Sequence, residues 1–255
     1  MLVTVESTRG SVPRETGAWM AVFPDTLVGT VGGGRLELDA THHARSMLAG
    51  KQVPILVRYA LGPSLGQCCG GEVHLRFELV DHSHAPVLQT RLHRASFDVA
   101  LFGGGHVGRA LVDVLERLPC AVRWIDSRDE IFPSQLPAQV QCEHSYPVQG
   151  AVADLVPQSL VLIMSFSHAE DLDIVAACLL RQRERGDLPY IGLIGSKTKW
   201  ASFRQRLLAR GFSETEMAHI TCPIGVTGIA DKRPEVIAVS VAAQLLQVQG
   251  SRQVV

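Results

Sequence analysis

The sequence predicts an α/β protein in which a Rossmann-like, doubly wound parallel sheet follows a smaller α+β domain. Three observations carry this prediction: short alternating strands before residue 81, a regular alternation of strand and helix from Phe97 onward, and a glycine-rich loop after the strand at Phe97. We therefore place an N-terminal domain at residues 1–80, a linker at 81–96 and the Rossmann-like domain at 97–255.

In the first domain, apolar residues alternate in four segments and recur at helical spacing in one. The predicted strands are Leu2–Thr8, Ala18–Phe23, Val53–Leu61 and Glu72–Val80, and the predicted helix is Arg35–Leu48. The linker begins at Asp81, where Asp, Ser and Pro interrupt the pattern. Its histidines favour a solvated connector over a metal site, because no Cys or carboxylate cluster joins them at ligand spacing.

In the second domain, near-continuous apolar runs alternate with helical segments. The predicted strands are Phe97–Phe102, Ala121–Asp126, Gln139–Cys142, Leu160–Ser165 and Tyr190–Ile194, and the predicted helices are His106–Leu118, Asp171–Arg185, Lys197–Arg210 and a last one from Pro234. Apolar strands separated by helices are typical of a parallel sheet that is covered on both faces.

The charge balance and the hydropathy exclude several classes of protein. There are 24 Lys and Arg against 25 Asp and Glu, a formal net charge of −1, whereas a nucleic-acid-binding protein normally carries a basic surplus. No run reaches the roughly 18 apolar residues that a membrane span needs, and no basic region opens a signal peptide. We expect a cytoplasmic protein without nucleic-acid or membrane partners.

Six cysteines in a chain of 255 residues do not indicate a disulfide-stabilised scaffold. Four of them stand alone beside apolar residues, which favours buried structural thiols because free Cys behaves as a small hydrophobic residue. These four are Cys120, Cys142, Cys178 and Cys222.

The residues Gly103, Gly105 and Gly108 fit the G-x-G-x-x-G pattern directly after an apolar strand and at the start of a helix. An acid, Asp126, ends the next strand. In this context Gly103 provides the tight turn, Gly105 lets the backbone approach a phosphate, and the helix N-terminus favours the anion. Asp126 is then expected to accept hydrogen bonds from ligand hydroxyl or amide groups. A Rossmann domain that keeps its glycines only for packing is the alternative.

A second loop, at residues 194–197, also joins an apolar strand to a helix, with Ser196 as the expected N-cap residue. Lys197 and further basic residues follow it. Two interpretations stay open: a phosphate site at the start of the helix, or a helix whose charges face solvent.

The adjacent thiols Cys68 and Cys69 stand in a loop rich in glycine. A disulfide between them is not expected, because consecutive Cα atoms lie about 3.8 Å apart and disulfides prefer about 4.4–6.8 Å. The functional interpretations are a soft-metal contact, a carrier of transferable sulfur or a redox sensor. The structural interpretation is a chance pairing of two buried thiols. A structural zinc site is not expected, since no second Cys or His pair lies at suitable spacing.

Seven ordered motifs resemble the xanthine dehydrogenase accessory proteins, the XdhC/CoxI family of molybdoenzyme maturation factors, over almost the whole chain. Gly-Gln67-Cys68-Cys69-Gly-Gly is the most distinctive of the seven. The motifs are Thr8–Arg14, Gly29–Glu37, Leu65–Gly71, Phe102–Gly108, Asp126–Glu130, Ile191–Lys197 and Cys222–Gly225.

Members of that family are maturation factors rather than conventional enzymes, so we expect no catalytic residue and no protein-held metal ion. The resemblance implies that the protein binds the molybdenum cofactor in its molybdopterin form and supports its sulfuration with a cysteine desulfurase. It also implies insertion of the cofactor into apo-xanthine dehydrogenase or a related molybdenum hydroxylase. A homodimer is the default oligomer.

The resemblance further implies that the XdhC/CoxI-type N-terminal domain and the Rossmann-like domain face one another. We infer that the glycine loop holds the cofactor's phosphate while Cys68 or Cys69 lies near its metal. The expected cofactor-binding residues are Gln67, Cys68, Cys69, Gly103, Gly105, His106, Gly108, Asp126, Arg128, Ser196 and Lys197.

Two other functions stay open on the sequence. An NAD(P)-dependent oxidoreductase would use the same fingerprint, but it also needs a proton relay. No Tyr-x-x-x-Lys occurs, and spacing alone is thin support for a dyad of His168 and Asp171. A thiol redox protein is disfavoured because C-x-x-C is absent.

Overall fold

The structure, a computed structural model, describes residues 1–62, 70–92 and 97–253. It divides into two compact units, Met1–His93 and Arg94–Val255. The predicted class is confirmed: the first unit is built on an antiparallel sheet with a helix, and the second on a parallel sheet with helices on both faces.

The first unit contains a five-stranded antiparallel sheet in the order β3-β2-β1-β5-β4. Its elements are β1 (Leu2–Arg9), β2 (Trp19–Val22), β3 (Leu27–Gly29), α1 (Gly34–Leu48), β4 (Leu56–Ala60), β5 (Glu72–Glu78) and α2 (Ala85–Leu92). The core lies between the sheet and α1, where Val3, Met20 and Leu75 pack against Leu36 and Ala40. The periodicity predicts α1 and four of these strands.

Two elements of the first unit differ from the prediction. The strand β3 was not predicted, because it has only three residues and all of them are exposed, so no alternation marks it. The predicted connector over 81–96 contains a 3₁₀ helix, His82–His84, and then α2. Asp81 caps that 3₁₀ helix by accepting a hydrogen bond from Ser83 N at 2.9 Å, which turns a polar connector into a helix start.

The second unit contains a six-stranded, wholly parallel sheet in the order β11-β10-β9-β6-β7-β8. Its strands are β6 (Phe97–Phe102), β7 (Cys120–Asp126), β8 (Val140–His144), β9 (Leu160–Ile163), β10 (Tyr190–Leu193) and β11 (Ile220–Thr221). Its helices are α3 (His106–Leu115), α4 (His168–Arg185), α5 (Lys197–Ala209), α6 (Glu214–Met217) and α7 (Pro234–Gln253). The strand order reverses between β6 and β9, the position at which open α/β sheets bind ligands.

Two hydrophobic cores lie on opposite faces of this sheet. One contains Phe102 and Ile163 with Phe203 of α5. The other contains Leu101 with Leu111 of α3, and α7 packs on the same face. Helices on both faces explain why the central strands β9 and β10 are buried at every residue rather than at alternate ones.

The connections of the second unit depart from the simple alternation that the sequence predicts. A 3₁₀ helix, Val148–Asp154, precedes β9 in a stretch for which no element was predicted, and the short elements α6 and β11 were not predicted either. The helix α4 begins at His168 rather than Asp171, because Ser167 caps it by accepting a hydrogen bond from Glu170 N. Among the described residues, no helix is long and apolar enough to cross a membrane.

Candidate functional site

The glycine loop between β6 and α3 is packed tightly against its neighbours at two of its glycines. At Gly103, where φ is +123°, a Cβ atom would lie 2.0 Å from the carbonyl oxygen of Met164. At Gly108 a Cβ atom would lie 2.1 Å from the carbonyl oxygen of Gly103. That oxygen also accepts a hydrogen bond from the indole of Trp124 at 2.9 Å. Both glycines are therefore required by the packing of the loop.

Gly105 is different, because neither packing nor backbone conformation requires a glycine there. Its φ is −71°, which any residue adopts, and a Cβ atom would meet no other atom within 4 Å. Gly105 precedes α3, whose N-terminus receives no hydrogen bond from a capping side chain. The N–H groups of the first helical turn have no acceptor within the helix and favour an anion.

The carboxylate of Asp126 is bonded within the protein, although the sequence predicts a contact with ligand. Gly104 N donates to Oδ2 at 2.6 Å, and Arg128 donates from N and Nε to Oδ1 and from Nη2 to Oδ2, each at 2.9 Å. Burial acts to raise the pKa of Asp126, but the hydrogen bonds from Arg128 and Gly104 outweigh it and lower the pKa. Its contact with a ligand stays a prediction.

Arg128 lies at the exposed side of this pair. Its guanidinium carbon is 4.6 Å from the ring centroid of Phe166, and 66% of Phe166 is exposed. Ser127, beside it, donates a hydrogen bond to Glu170 Oε1 at 2.6 Å, whereas Glu170 Oε2 is buried and has no hydrogen-bond partner. The loops after β7 and β9 thus meet through these side chains, a contact that the sequence does not indicate.

A buried ion pair that sequence reasoning missed joins the loops after β9 and β10. Lys199 Nζ donates to Asp171 Oδ2 at 2.6 Å and to the carbonyl oxygen of Ile194 at 2.8 Å. Asp171 Oδ1 accepts hydrogen bonds from the N and Oγ of Ser165 at 2.8 and 2.7 Å. The signal was available: an acid and a lysine lie in the first turns of helices that follow adjacent parallel strands.

The dyad considered for an oxidoreductase is not formed. Asp171 accepts its side-chain hydrogen bonds from Ser165 and Lys199. His168 is exposed, and its ring lies 6.3 Å from that of Phe203. In the part of the chain that the structure describes, no hydrogen bond joins His168 to Asp171.

Ser196 is the N-cap residue of α5, as predicted, because its side chain accepts a hydrogen bond from Lys199 N at 3.1 Å. Ser196 and Lys197 are both exposed. His106, the first residue of α3, is exposed too and lines a groove of about 370 Å³ between α3 and α7. The groove is lined by charged residues (Arg109, Asp113 and Glu235) and by apolar ones (Ala110, Val114 and Val239), and through His106 it borders the glycine loop.

The four isolated cysteines divide into two groups. Cys120 and Cys178 are buried, as predicted, and burial raises their pKa values to about 11 and about 12. Cys142 and Cys222 are only half-buried. Burial raises the pKa of Cys222 to about 11, against a smaller lowering by Lys199. Burial raises the pKa of Cys142 as well, so the environment of each of the four favours the neutral thiol over the thiolate.

Gln67, Cys68 and Cys69 lie outside the described residues. The residues on either side of that stretch are joined, because Leu61 N donates to the carbonyl oxygen of Gly71 at 2.8 Å. A Cβ atom at Gly71 would lie 2.3 Å from the carbonyl oxygen of Ser11, so glycine is required there. Within residues 1–62, 70–92 and 97–253, no group of three or more His, Cys, Asp or Glu side chains could hold a metal ion.

Two family models match the sequence, and similar proteins are found among curated sequences and solved structures. The family model described as the XdhC Rossmann domain matches residues 99–245, and that of the XdhC and CoxI family matches residues 1–60. The uncharacterized protein YqeB of Escherichia coli (strain K12) is 26% identical over 258 residues. That match covers 98% of this chain and 43% of YqeB, so the chain spans less than half of that relative.

A crystal structure from Bacillus halodurans, described as that of a xanthine dehydrogenase, has a similar fold, with a TM-score of 0.80 and 23% identity. The match covers 98% of this chain and 91% of that chain. The resemblance seen in the seven motifs is confirmed by the family models, of which the XdhC Rossmann domain alone spans more than half of the sequence. The chain belongs to the XdhC and CoxI family.

Proposed function

We propose that this protein is a maturation factor that binds the molybdenum cofactor, supports its sulfuration with a cysteine desulfurase and delivers it to apo-xanthine dehydrogenase or a related molybdenum hydroxylase. Membership of the XdhC and CoxI family supports the maturation role. When bound, the cofactor supplies the redox-active metal centre that the client enzyme uses. This chain's own task is to bind, orient and release it.

The proposal rests on the position and surroundings of Gly105. A glycine that packing and conformation do not require stands where a helix N-terminus has no capping side chain. A phosphate fits this position, because backbone N–H groups and the helix dipole both favour an anion, and a side chain would obstruct its approach. The residues present therefore fit the phosphate of molybdopterin.

The other end of the cofactor carries the metal, and among the described residues no group of three or more His, Cys, Asp or Glu side chains could hold a metal ion. Cys68 and Cys69 are the thiols that we assign to this end, in the distinctive motif of the N-terminal segment. Their thiolates would contact the molybdenum or carry the sulfur that becomes its terminal ligand.

A second candidate, an NAD(P)-dependent oxidoreductase, is favoured by the same glycine fingerprint. Two features of the geometry weaken it. Asp126, which would accept the ribose hydroxyls, is bonded to Gly104 and Arg128 instead. His168 and Asp171 do not form a proton relay.

The experiment is to purify the protein from cells supplied with molybdate and to identify the bound small molecule. We expect a pterin, measured by fluorescence after release and oxidation, whereas bound nicotinamide nucleotide would replace the proposal with the oxidoreductase. Gly105→Val should fold and lose at least nine-tenths of the pterin. Gly150→Val is the matched control, because a Cβ atom there also meets nothing within 4 Å.

A further inference from the structure

Asp126 has no acceptor position left for a ligand. Its side chain is 1% exposed, and four N–H groups donate to its two oxygens, one from Gly104 and three from Arg128. A carboxylate offers about four lone-pair positions, so these hydrogen bonds fill them. A vicinal diol would have to displace one of these internal bonds.

Two of the donors to Asp126 are brought together beside the glycine loop. Oδ2 accepts from Gly104 N in the loop and also from Nη2 of Arg128. One oxygen atom therefore fixes the loop and the guanidinium side by side. Because Gly104 N is directed inward to this oxygen, the amides left for a ligand are those that follow it, at Gly105 and in the first turn of α3.

Arg128 still has N–H groups to offer. A guanidinium carries five, of which Nε–H and one Nη2–H go to Asp126. In the described part of the chain, no acceptor receives a hydrogen bond from Nη1, and 35% of the side chain is exposed. The guanidinium carbon lies over the ring of Phe166, 4.6 Å from its centroid, a cation–π contact that favours this position of the group.

We infer that Asp126 is a positioning residue and that Arg128, together with the outward amides of the glycine loop, contacts the phosphate of the ligand. The inference rests on the proposed binding of a phosphate-bearing cofactor at this loop. It assigns the specificity of the site to phosphate rather than to ribose. Asp126 and Glu170 both lie near Arg128, so directed hydrogen bonds, rather than net positive charge, select the anion.

The internal position of Asp126 determines the class of ligand that the site can take. A dinucleotide-binding Rossmann domain recognises a ribose diol with the acid after its second strand. Here that acid is internal, so a phosphate ester or pyrophosphate without ribose is sufficient. A phosphorylated pterin meets this requirement, and so does inorganic pyrophosphate, which makes pyrophosphate a usable probe.

The test measures dissociation constants for inorganic pyrophosphate, which has no diol, and for ADP-ribose, which has both pyrophosphate and diols. Asp126→Asn should weaken both by the same factor, at least tenfold, because it loosens the loop and Arg128 together. Arg128→Gln should weaken both ligands by a similar factor. Arg128→Lys should recover only part of the lost affinity, since the Lys ammonium lacks the planar, bidentate donors of a guanidinium. Arg183→Gln, which removes an exposed arginine paired with Glu216, should change neither.

The outcomes separate this inference from the proposed function. An Asp126→Asn protein that loses ADP-ribose binding but keeps pyrophosphate binding would show a direct diol contact and overturn the inference. Co-purified pterin that pyrophosphate does not displace would also overturn it, while leaving the proposed function intact. A wild-type protein that binds no pterin, pyrophosphate or ADP-ribose would overturn both. Thermal unfolding of each variant keeps a folding defect distinct. Arg128→Gln removes two side-chain donors from the buried Asp126 carboxylate and should lower the unfolding midpoint, so its dissociation constants are measured below that midpoint, where the protein is folded.

Discussion

Lys199 and Asp171 form an ion pair at 2.6 Å, and their side chains are only 10% and 3% exposed. The pair joins the first turns of α4 and α5, which follow adjacent strands of the parallel sheet. Asp171 in turn fixes Ser165, whose Cα lies 3.1 Å from the position a Cβ atom would take at Gly103. The pair therefore supports the loop after β9, against which the glycine loop packs.

Breaking this pair should be costly. We expect Lys199→Met to lower the free energy of unfolding by about 3–5 kcal/mol, because it leaves Asp171 as a buried, unpaired charge. Adding Asp171→Asn should recover part of the loss. Arg204→Ala, which removes an exposed pair with Glu214, should cost about 0–1 kcal/mol. Urea denaturation measures all three, and equal effects of Lys199→Met and Arg204→Ala would refute the supporting role.

The glycines of the loop should separate into structural and ligand-facing positions. Gly103→Ala should lower the free energy of unfolding by about 1–3 kcal/mol or more, because φ is +123° and the carbonyl of Met164 leaves no room for a Cβ atom. Gly105→Ala should change stability by no more than about 0.5 kcal/mol. Thermal denaturation followed by circular dichroism compares the two. If both lost the same stability, Gly105 would be a packing residue.

Cys68 and Cys69 should matter for cofactor handling and not for folding. Cys68→Ser and Cys69→Ser remove the soft thiolate while keeping the size of the side chain, so at least one should fail to retain cofactor or to activate an apo-molybdenum hydroxylase. Cys178→Ser is the control. This substitution places a hydroxyl at a fully buried position, so the protein should lose about 1–3 kcal/mol of stability. Any loss of cofactor in this variant should follow from that loss of stability. Cofactor content and unfolding midpoints, measured on the same samples, distinguish the two effects.

The hydrogen bonds to Asp126 should appear in the pH dependence of stability. The folded-state pKa is lowered, so the contribution of this group is complete above its unfolded value of about 3.9 and is lost as pH falls through the lower folded value. The difference in unfolding free energy between wild type and Asp126→Asn should be constant from pH 5 to 8 and shrink below about pH 4. Urea denaturation of both proteins at several pH values tests this expectation. It would be contradicted if the difference in unfolding free energy between wild type and Asp126→Asn grew at acidic pH.

The sequence predicts β6, β9 and β10 well, because each is a largely apolar run and both faces of the sheet are covered there. It does not reveal β3, whose three residues are exposed and pair at an edge. The difference is physical: burial leaves a pattern in the sequence, whereas an exposed edge strand is held mainly by backbone hydrogen bonds to its neighbour.

The candidate site was predictable where one short segment determines it. The glycine loop is such a segment, because Gly103 and Gly108 act within six residues of each other. The partners of Asp126 were not predictable, since they depend on how the loop turns Gly104 N inward. Lys199 and Asp171 are 28 residues apart, and only the order of the strands in the sheet brings them together.

The hydrogen bond from Trp124 to the Gly103 carbonyl gives the loop a built-in optical reporter. The indole is buried and its N–H contacts the backbone of the loop directly, so a shift of that carbonyl changes the polarity around the ring. The other two tryptophans, Trp19 and Trp200, lie elsewhere in the chain and can be replaced by Phe. Emission from Trp124 alone would then follow ligand capture and release in real time, without a label.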